Sequence, residues 1–418
     1  MRASTMWSDR SGTMISGTVG LLLVGVAAAP AHAESIREKQ WHLNAMKAEQ
    51  MWQTSTGKGV TVAVIDTGVD DSLPDLRGRV LPGRDLAPRS AGDEHTDYEG
   101  HGTTMALLIA GTGRGGGGTG TLGLAPDSKI LPIRTSDHGL DANRYTREAN
   151  AEFSHGIRYA ADSGAQVINI SMGVFKGSKQ LTAAVKYAHD KGSLVLAATG
   201  NKGTSSLNYP AGTPGVVGVG AIGKNLRKTK ESQYGPQVDI AAPGDETYTA
   251  CPNGNGTCKG HGTSDATALA SASAALIWSK HPDWTNNQVL RVMLNTIGGP
   301  TDGAKRNDSI GYGIIRPRVA LQNPGDPGPA DVYPLPDLKQ AASTSPAPSP
   351  SESEAARPDD EKTSAAAPAV TEGSDGGTST TTWIVTGVGA AALIGGAAAV
   401  MAVRKRRSAA YARVTGRP

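Results

Sequence analysis

A short run of apolar and β-branched residues that stops at an acid constrains this chain most. Gly59-Val-Thr-Val-Ala-Val-Ile65 leads into Asp66-Thr67-Gly68. A run apolar at nearly every position reads as a strand buried on both faces. Such strands belong to parallel sheets covered by helices. An acid at the carboxyl end of the run is costly to bury unless a partner meets it. Runs of the same kind recur at residues 129–134, 166–170, 193–197 and 215–222. Helical patterns lie at 143–163, 180–191, 264–280 and 285–296, the second closed by Gly192 as a C-cap. Strands alternating with helices predict an α/β fold with a mostly parallel central sheet flanked by helices. In such sheets the chemistry collects at the carboxyl ends of the strands. Asp66 and Asn201 both follow apolar runs directly, so both are expected on that edge.

The rest of the 418 residues is organised around this domain. Arg2 and Arg10 precede an apolar run at 19–29, and Ala31-His32-Ala33 fits a small-x-small cleavage site. Residues 1–33 therefore read as a secretory signal, with the mature chain beginning near Glu34. Residues 34–56 form a short N-terminal extension and 57–322 the domain itself. Residues 323–382 are Pro, Ser, Ala, Thr and acids, too polar to bury a core, and read as a disordered linker. Residues 383–403 carry no charge. As a helix they span roughly 32 Å, against a hydrocarbon core of about 30 Å. Trp383 marks one interface and Arg404-Lys405-Arg406-Arg407 the other. The positive-inside rule makes 404–418 a cytoplasmic tail and places the domain outside a cell membrane crossed once.

Charge and cysteine usage narrow the function classes. The formal charge of +3, from 41 basic and 38 acidic residues, gives no reason to expect nucleic acid. Cys251 and Cys258 are separated by Pro-Asn-Gly-Asn-Gly-Thr, a stretch that turns back readily. Outside the cytosol that pair is expected to form a disulfide. The spacing and the lack of a second pair argue against a thiolate metal site. No compact set of oxygen ligands stands out either, so no metal ligands and no cofactor are assigned, and the sequence does not settle calcium.

Four local frames carry chemistry. Hydrolysis of a peptide by serine needs a hydroxyl, a base, a carboxylate that orients the base, and donors for the oxyanion. Asp66 stands in Val64-Ile-Asp-Thr-Gly-Val-Asp70. Asp-Thr-Gly also occurs in aspartic proteases, which need two such sites. The second candidate, Asp162-Ser-Gly164, ends a helical stretch with no apolar strand before it, so that reading is set aside. His101 stands in Glu99-Gly-His-Gly-Thr-Thr-Met105, a glycine turn feeding an apolar helix. Ser264 stands in Gly260-His-Gly-Thr-Ser-Asp-Ala266 before a helix of small residues. A serine there sets its own N–H and the helix dipole beside a developing oxyanion. Asn201, in Thr199-Gly-Asn-Lys202, has an amide that can donate to the same charge. His261 is a rival base three residues before Ser264. On so tight a segment it is poorly placed to be backed by Asp66. Each residue alone has an ordinary reading as a turn, a cap or a structural histidine. Their combination is the signal.

These frames resemble the subtilisin-like serine proteases, the subtilases. The order Asp66, His101, Ser264 is the subtilisin order, with Asn201 between the last two. The resemblance covers about residues 57–322 and includes Gly123-Leu-Ala-Pro-Asp-Ser-Lys-Ile-Leu-Pro-Ile-Arg134 and Gly311-Tyr-Gly-Ile-Ile315. It implies a subtilisin-like three-layer fold and an endopeptidase that works through an acyl-enzyme. It also implies that Ser171, Met172, Gly173, Ala198, Thr199 and Gly200 bind the substrate residue before the cut. The whole chain is similar to the mycosins, membrane-anchored subtilases associated with type VII secretion. Ile36-Arg-Glu-Lys-Gln-Trp-His-Leu-Asn-Ala-Met46, the signal, the linker and the terminal helix carry that similarity. It implies polypeptide substrates among exported proteins, secretion components as partners, and an extension that wraps the domain. It also leaves open a mainly structural role in the secretion machinery, with proteolysis secondary. Three positions depart from the family pattern. Ala268 replaces a usual proline, Thr104 a usual histidine, and Asp265 follows the serine where an apolar residue is commoner. The charge of Asp265 bears on pH dependence or peptide preference.

Overall fold

Residues 34–338 are described, apart from 88, 137–141, 253 and 255, in a computed structural model. The chain opens with three short helices, α1 (Ile36–Lys39), α2 (Trp41–Met46) and α3 (Ala48–Trp52). It continues through β1 (Thr61–Asp66), β2 (Arg84–Asp85), α4 (His101–Ala110) and β3 (Lys129–Arg134). Next come α5 (Ala142–Asp162), β4 (Val167–Ile170), α6 (Lys179–Asp190), β5 (Leu194–Ala198) and β6 (Val216–Ile222). After β7 (Ile240–Pro243), a hairpin of β8 (Thr247–Ala250) and β9 (Thr257–Gly260) precedes the long helix α7 (Thr263–Lys280). Helices α8 (Asn286–Asn295) and α9 (Pro317–Gln322) follow.

The sheet has seven strands in the order β2-β3-β1-β4-β5-β6-β7, all parallel. Alternation along each strand divides the core into two layers. Val62 and Val64 of β1 face one layer, and Ala63 and Ile65 the other. Leu194 and Leu196 of β5 likewise oppose Val195 and Ala197. Helices α5 and α6 cover one face, and α4, α7 and α8 the other. This is the three-layer subtilisin-like α/β fold expected from the sequence. Helix α7 runs through its own layer buried from Thr263 to Trp278. A helix buried all round must be small-sided and must satisfy its hydroxyls internally. Thr267 and Ser273 donate to the carbonyls of Thr263 and Leu269, each at 2.7 Å, and Ser271 donates to Asn169 of β4 at 3.0 Å.

The extension at 34–56 lies against the α7 layer. Leu43 and Met51 are fully buried there, each stabilising by about 1.5–3 kcal/mol. Gln40 donates to the carbonyl of Leu122 at 2.8 Å and accepts from its N–H at 3.2 Å. The indoles of Trp41 and Trp52 donate to the carbonyls of Asp245 and Leu124, each at 2.9 Å.

The linker expected from residue 323 does not hold for its first part. Leu335 is buried in the core, and Asp337 accepts from the N–H of Gly215 at 2.6 Å. The Arg291 guanidinium donates to the carbonyls of Pro327, Pro329 and Val332. A composition average over the whole polar stretch hides one apolar anchor and an arginine supplied from elsewhere. Among the described residues no helix is long and apolar enough to cross a membrane. The expected span at 383–403, the signal at 1–33 and the tail at 404–418 lie outside them.

Candidate active site

β1 ends at Asp66, whose side chain is fully buried. Its Oδ1 accepts from the N–H of Thr67 at 2.8 Å, and the Nδ1 of His101 lies 2.6 Å away. With Nδ1–H donating to the carboxylate, a neutral ring presents Nε2 as an acceptor. The approach depends on Gly102. A Cβ there would meet the carbonyl oxygen of Gly68 at 2.1 Å and Asp66 Cβ at 3.0 Å. Only a glycine lets the first turn of α4 come so close to the end of β1. Partial burial of the His101 ring would lower its pKa. The charge and hydrogen bond of Asp66, and then the charges of Asp265 and Asp97, outweigh this and raise it to about 9.

Asp97 was not singled out by the sequence. Its Oδ1 accepts from Thr67 Oγ1 and from the N–H of Gly100, both at 2.8 Å. Its Oδ2 accepts from the N–H and hydroxyl of Thr103 at 2.8 and 2.6 Å. Thr67 Oγ1 in turn accepts from the N–H of Gly102 at 3.0 Å. This carboxylate satisfies open N–H groups at the start of α4 and fixes the turn that presents His101. The available signal was an acid four residues before His101 at a helix entry.

Ser264 sits in the first turn of α7, which Gly262 enters at φ +120°. A Cβ on Gly262 would lie 2.7 Å from Asn201 Nδ2, so the turn and the amide pack directly. Asn201 Oδ1 accepts from the N–H and the hydroxyl of Thr263, each at 2.9 Å. With the oxygen held twice, the NH₂ group is left to donate elsewhere. The Ser264 hydroxyl donates to the carbonyl of Ser171 at 2.9 Å, and no hydrogen bond joins it to His101 among the described residues. Ser171 Oγ returns the contact by donating to the carbonyl of Ser264 at 3.0 Å.

His101, Asn201 and Ser264 line one cleft of about 380 Å³, together with Ser171, Met172, Gly173, Ala198 and Gly200. Thr199 does not line it. That residue is fully buried, with its hydroxyl donating to Val219 in the sheet at 3.1 Å. Asn208 and Gln233, which no local pattern marked, also line the cleft. A Cβ on Gly173 would lie 2.1 Å from Asn208 Nδ2, and one on Gly200 1.9 Å from Gln233 Oε1. The rival base His261 is turned to another acid, its Nδ1 lying 2.9 Å from both oxygens of Glu231. Asp162 is half-exposed and accepts from the hydroxyl of Tyr187 at 2.5 Å. Cys251 and Cys258 form a disulfide across the β8–β9 hairpin. Pro252 of that hairpin would touch a Cβ on Gly100 at 2.6 Å, so the loop packs on the turn before His101.

The arrangement holds an imidazole by its far nitrogen and sets a hydroxyl and an amide donor into the same cleft. Such a set can carry acyl transfer. The model of the subtilase family matches residues 57–313. Thermitase of Thermoactinomyces vulgaris is 37% identical over 242 residues, which cover 58% of this chain and 83% of that protein. The crystal structure of MycP1 from Mycobacterium smegmatis matches with a TM-score of 0.63 at 29% identity, covering 72% of this chain and 89% of that one. MycP3 protease from the type VII (ESX-3) secretion system matches with a TM-score of 0.60 at 31% identity, covering 67% and 87%.

Proposed function

The chain belongs to the subtilase family of serine endopeptidases, and from that premise we propose that Asp66, His101 and Ser264 are its catalytic triad. In this reading the Ser264 side chain turns from the Ser171 carbonyl toward Nε2 of His101 when a peptide enters. Apo triads are often loose in this way and tighten in the Michaelis complex. Ser264 Oγ attacks the scissile carbonyl while His101 takes its proton. Asp66 keeps Nδ1–H bound, which fixes the tautomer and stabilises the imidazolium. The oxyanion forms between the Asn201 NH₂ group and the N–H of Ser264 at the start of α7. His101 then returns the proton to the leaving amine. Water, deprotonated by His101, releases the acyl group and restores Ser264.

The observation that carries this reading is the 2.6 Å bond between His101 and Asp66 in a cleft shared with Ser264 and Asn201. The test is cleavage of a peptide library by the purified protein beside Ser264→Ala. Turnover should vanish in the variant. Equal activity in both would remove the assignment.

We propose that the enzyme is held by residues 383–403 on the outer face of the cell membrane and cuts exported polypeptides beside a type VII secretion machine. The support is the uncharged run flanked by Trp383 and a basic cluster, together with likeness to MycP3 of such a system. Added protease should degrade the domain on intact, wall-stripped cells while a tag on the C-terminus survives. Protection of the domain would refute this topology.

A further inference from the structure

A second cleft, of about 610 Å³, opens beside the one that holds Ser264, and the two share Asn201 and Lys202. His261 lines the second cleft, while Thr263 and Ser264, on the other side of Gly262, line the first. The wall that faces His261 is tied to the Asn201 loop. The carbonyl of Glu231 accepts from the N–H of Gly203 at 2.6 Å, and the N–H of Gln233 donates to the carbonyl of Gly200 at 2.9 Å. A peptide whose scissile carbonyl sits between Ser264 and Asn201 must continue in both directions. In the reading above, the residue before the cut takes the first cleft. The leaving side then runs past Asn201 into the second.

The second cleft carries an excess of positive charge. Lys202, Arg227, Lys228 and Lys230 line it against Glu231 and Asp245. Lys228 is spent on the backbone, donating to the carbonyls of Thr229 and Ser232, both at 2.9 Å. Glu231 is engaged by His261, whose Nδ1 lies 2.9 Å from both of its oxygens. Lys202, Arg227 and Lys230 are exposed, and among the described residues their side chains have no hydrogen bond or ion pair. Of the two acids, Asp245 alone leaves its carboxylate without such a partner among the described residues. Three open cations against one open acid favour an anion over a cation in this space. A cationic patch elsewhere on the surface would suit any anion. This one opens onto Asn201, where the leaving side of a substrate passes.

We propose that this cleft selects substrates by charge. It accepts polypeptides with Asp or Glu within roughly three residues after the cut, about 10 Å of extended chain, and disfavours those with Lys or Arg there. The inference rests on the triad assignment, which sets the point where the substrate is cut. Arg227 and Lys230 are the specificity-determining residues, because they line the second cleft alone. Lys202 lines both clefts and acts on both sides of the cut. These cations stand in solvent, so the preference is modest and is screened by salt. It is a difference in kcat/KM between substrates that share everything but one charge.

The experiment takes a library peptide that the full-length wild type cleaves and remakes it with Glu, Gln or Lys at each position of that stretch. kcat/KM is measured for the wild type, for the double variant Arg227→Gln/Lys230→Gln and for Ser264→Ala. At low salt the wild type should favour Glu over Gln by roughly threefold to tenfold at one of these positions, with Lys below Gln, the worth of one or two exposed charge pairs. In about 1 M salt, where the Debye length falls to about 3 Å, the three peptides should approach parity. The double variant should show that parity already at low salt. Equal cleavage of the Glu, Gln and Lys peptides by the wild type overturns the inference, and so does a Glu preference that survives in the double variant. If the double variant does not fold, a wild-type preference unmoved by salt overturns it. An inactive Ser264→Ala beside either result leaves the triad assignment standing. An active Ser264→Ala, or a library with no cleaved peptide, removes that assignment and this inference with it.

Discussion

Asn201 shows how much of a single residue's work is fixed by its neighbours. Its oxygen is held by the N–H and hydroxyl of Thr263, and its amide packs on Gly262, where a Cβ would lie 2.7 Å from Nδ2. In the proposed oxyanion role the amide would be held before any substrate arrives, which is what makes such a donor effective. Asn201→Ala should therefore lower kcat by roughly 10²–10³-fold with little change in KM. A loss confined to KM would place the amide in binding and not in stabilising the oxyanion. At this scale the chain announces some residues and hides others. Asp66, His101, Asn201 and Ser264 each sit in a frame of glycines and small residues, because tight turns need them, and that frame is visible locally. Asp97, Asn208 and Gln233 have no such frame. Asn208 and Gln233 matter because the fold carries residues distant in sequence into contact, as Gln233 is brought against Gly200, whereas Asp97 serves its own helix entry at Gly100 and Thr103. Thr199 shows the converse, since a place in a motif did not keep its side chain out of the sheet.

Elements were legible where burial wrote a pattern into the sequence. β3 matches its apolar run to the residue, and β1, β4, β5 and β6 fall within a residue or two of theirs. The two-residue β2 was not visible, because so short a run cannot be distinguished from a loop, and β7, Ile-Ala-Ala-Pro, has one large aliphatic residue to mark it. The β8–β9 hairpin was masked by polar residues on its open face, although its disulfide was expected. The N-terminal helices have their own chemistry. His42 of α2 is fully buried, and neither ring nitrogen has a hydrogen-bond partner among the described residues. Burial, aided by Arg37, lowers its pKa from 6.5 to about 3. The unfolded chain then takes up this proton before the folded one does. Its contribution to stability is intact above pH 6.5 and falls progressively as pH drops toward 3. His42→Leu should flatten that part of the profile, measured as the urea midpoint against pH, and should not destabilise the protein at pH 8. A parallel profile in wild type and variant would exclude His42 as the source.

At the scale of the whole molecule, the reading by composition went furthest astray at one boundary. The domain does not stop after α9 but draws in residues up to 338, with Leu335 in the core and Asp337 on Gly215. A chain ending at residue 322 should be less stable than one ending at 338 by about 2 kcal/mol or more, from the loss of Leu335 burial alone. Urea unfolding of the two, each beginning at residue 34, measures the difference. Equal stability would mean that the segment is not part of the domain.

That last contact also sets two ends of the domain apart. Gly215 immediately precedes β6, so the chain leaves the domain near the amino ends of the parallel strands. Asp66 and Asn201 stand at the opposite, carboxyl ends. The Asp337 clasp therefore ties the last described residues to one end of the strands, while the cleft lined by Asn201 and Ser264 lies at the other.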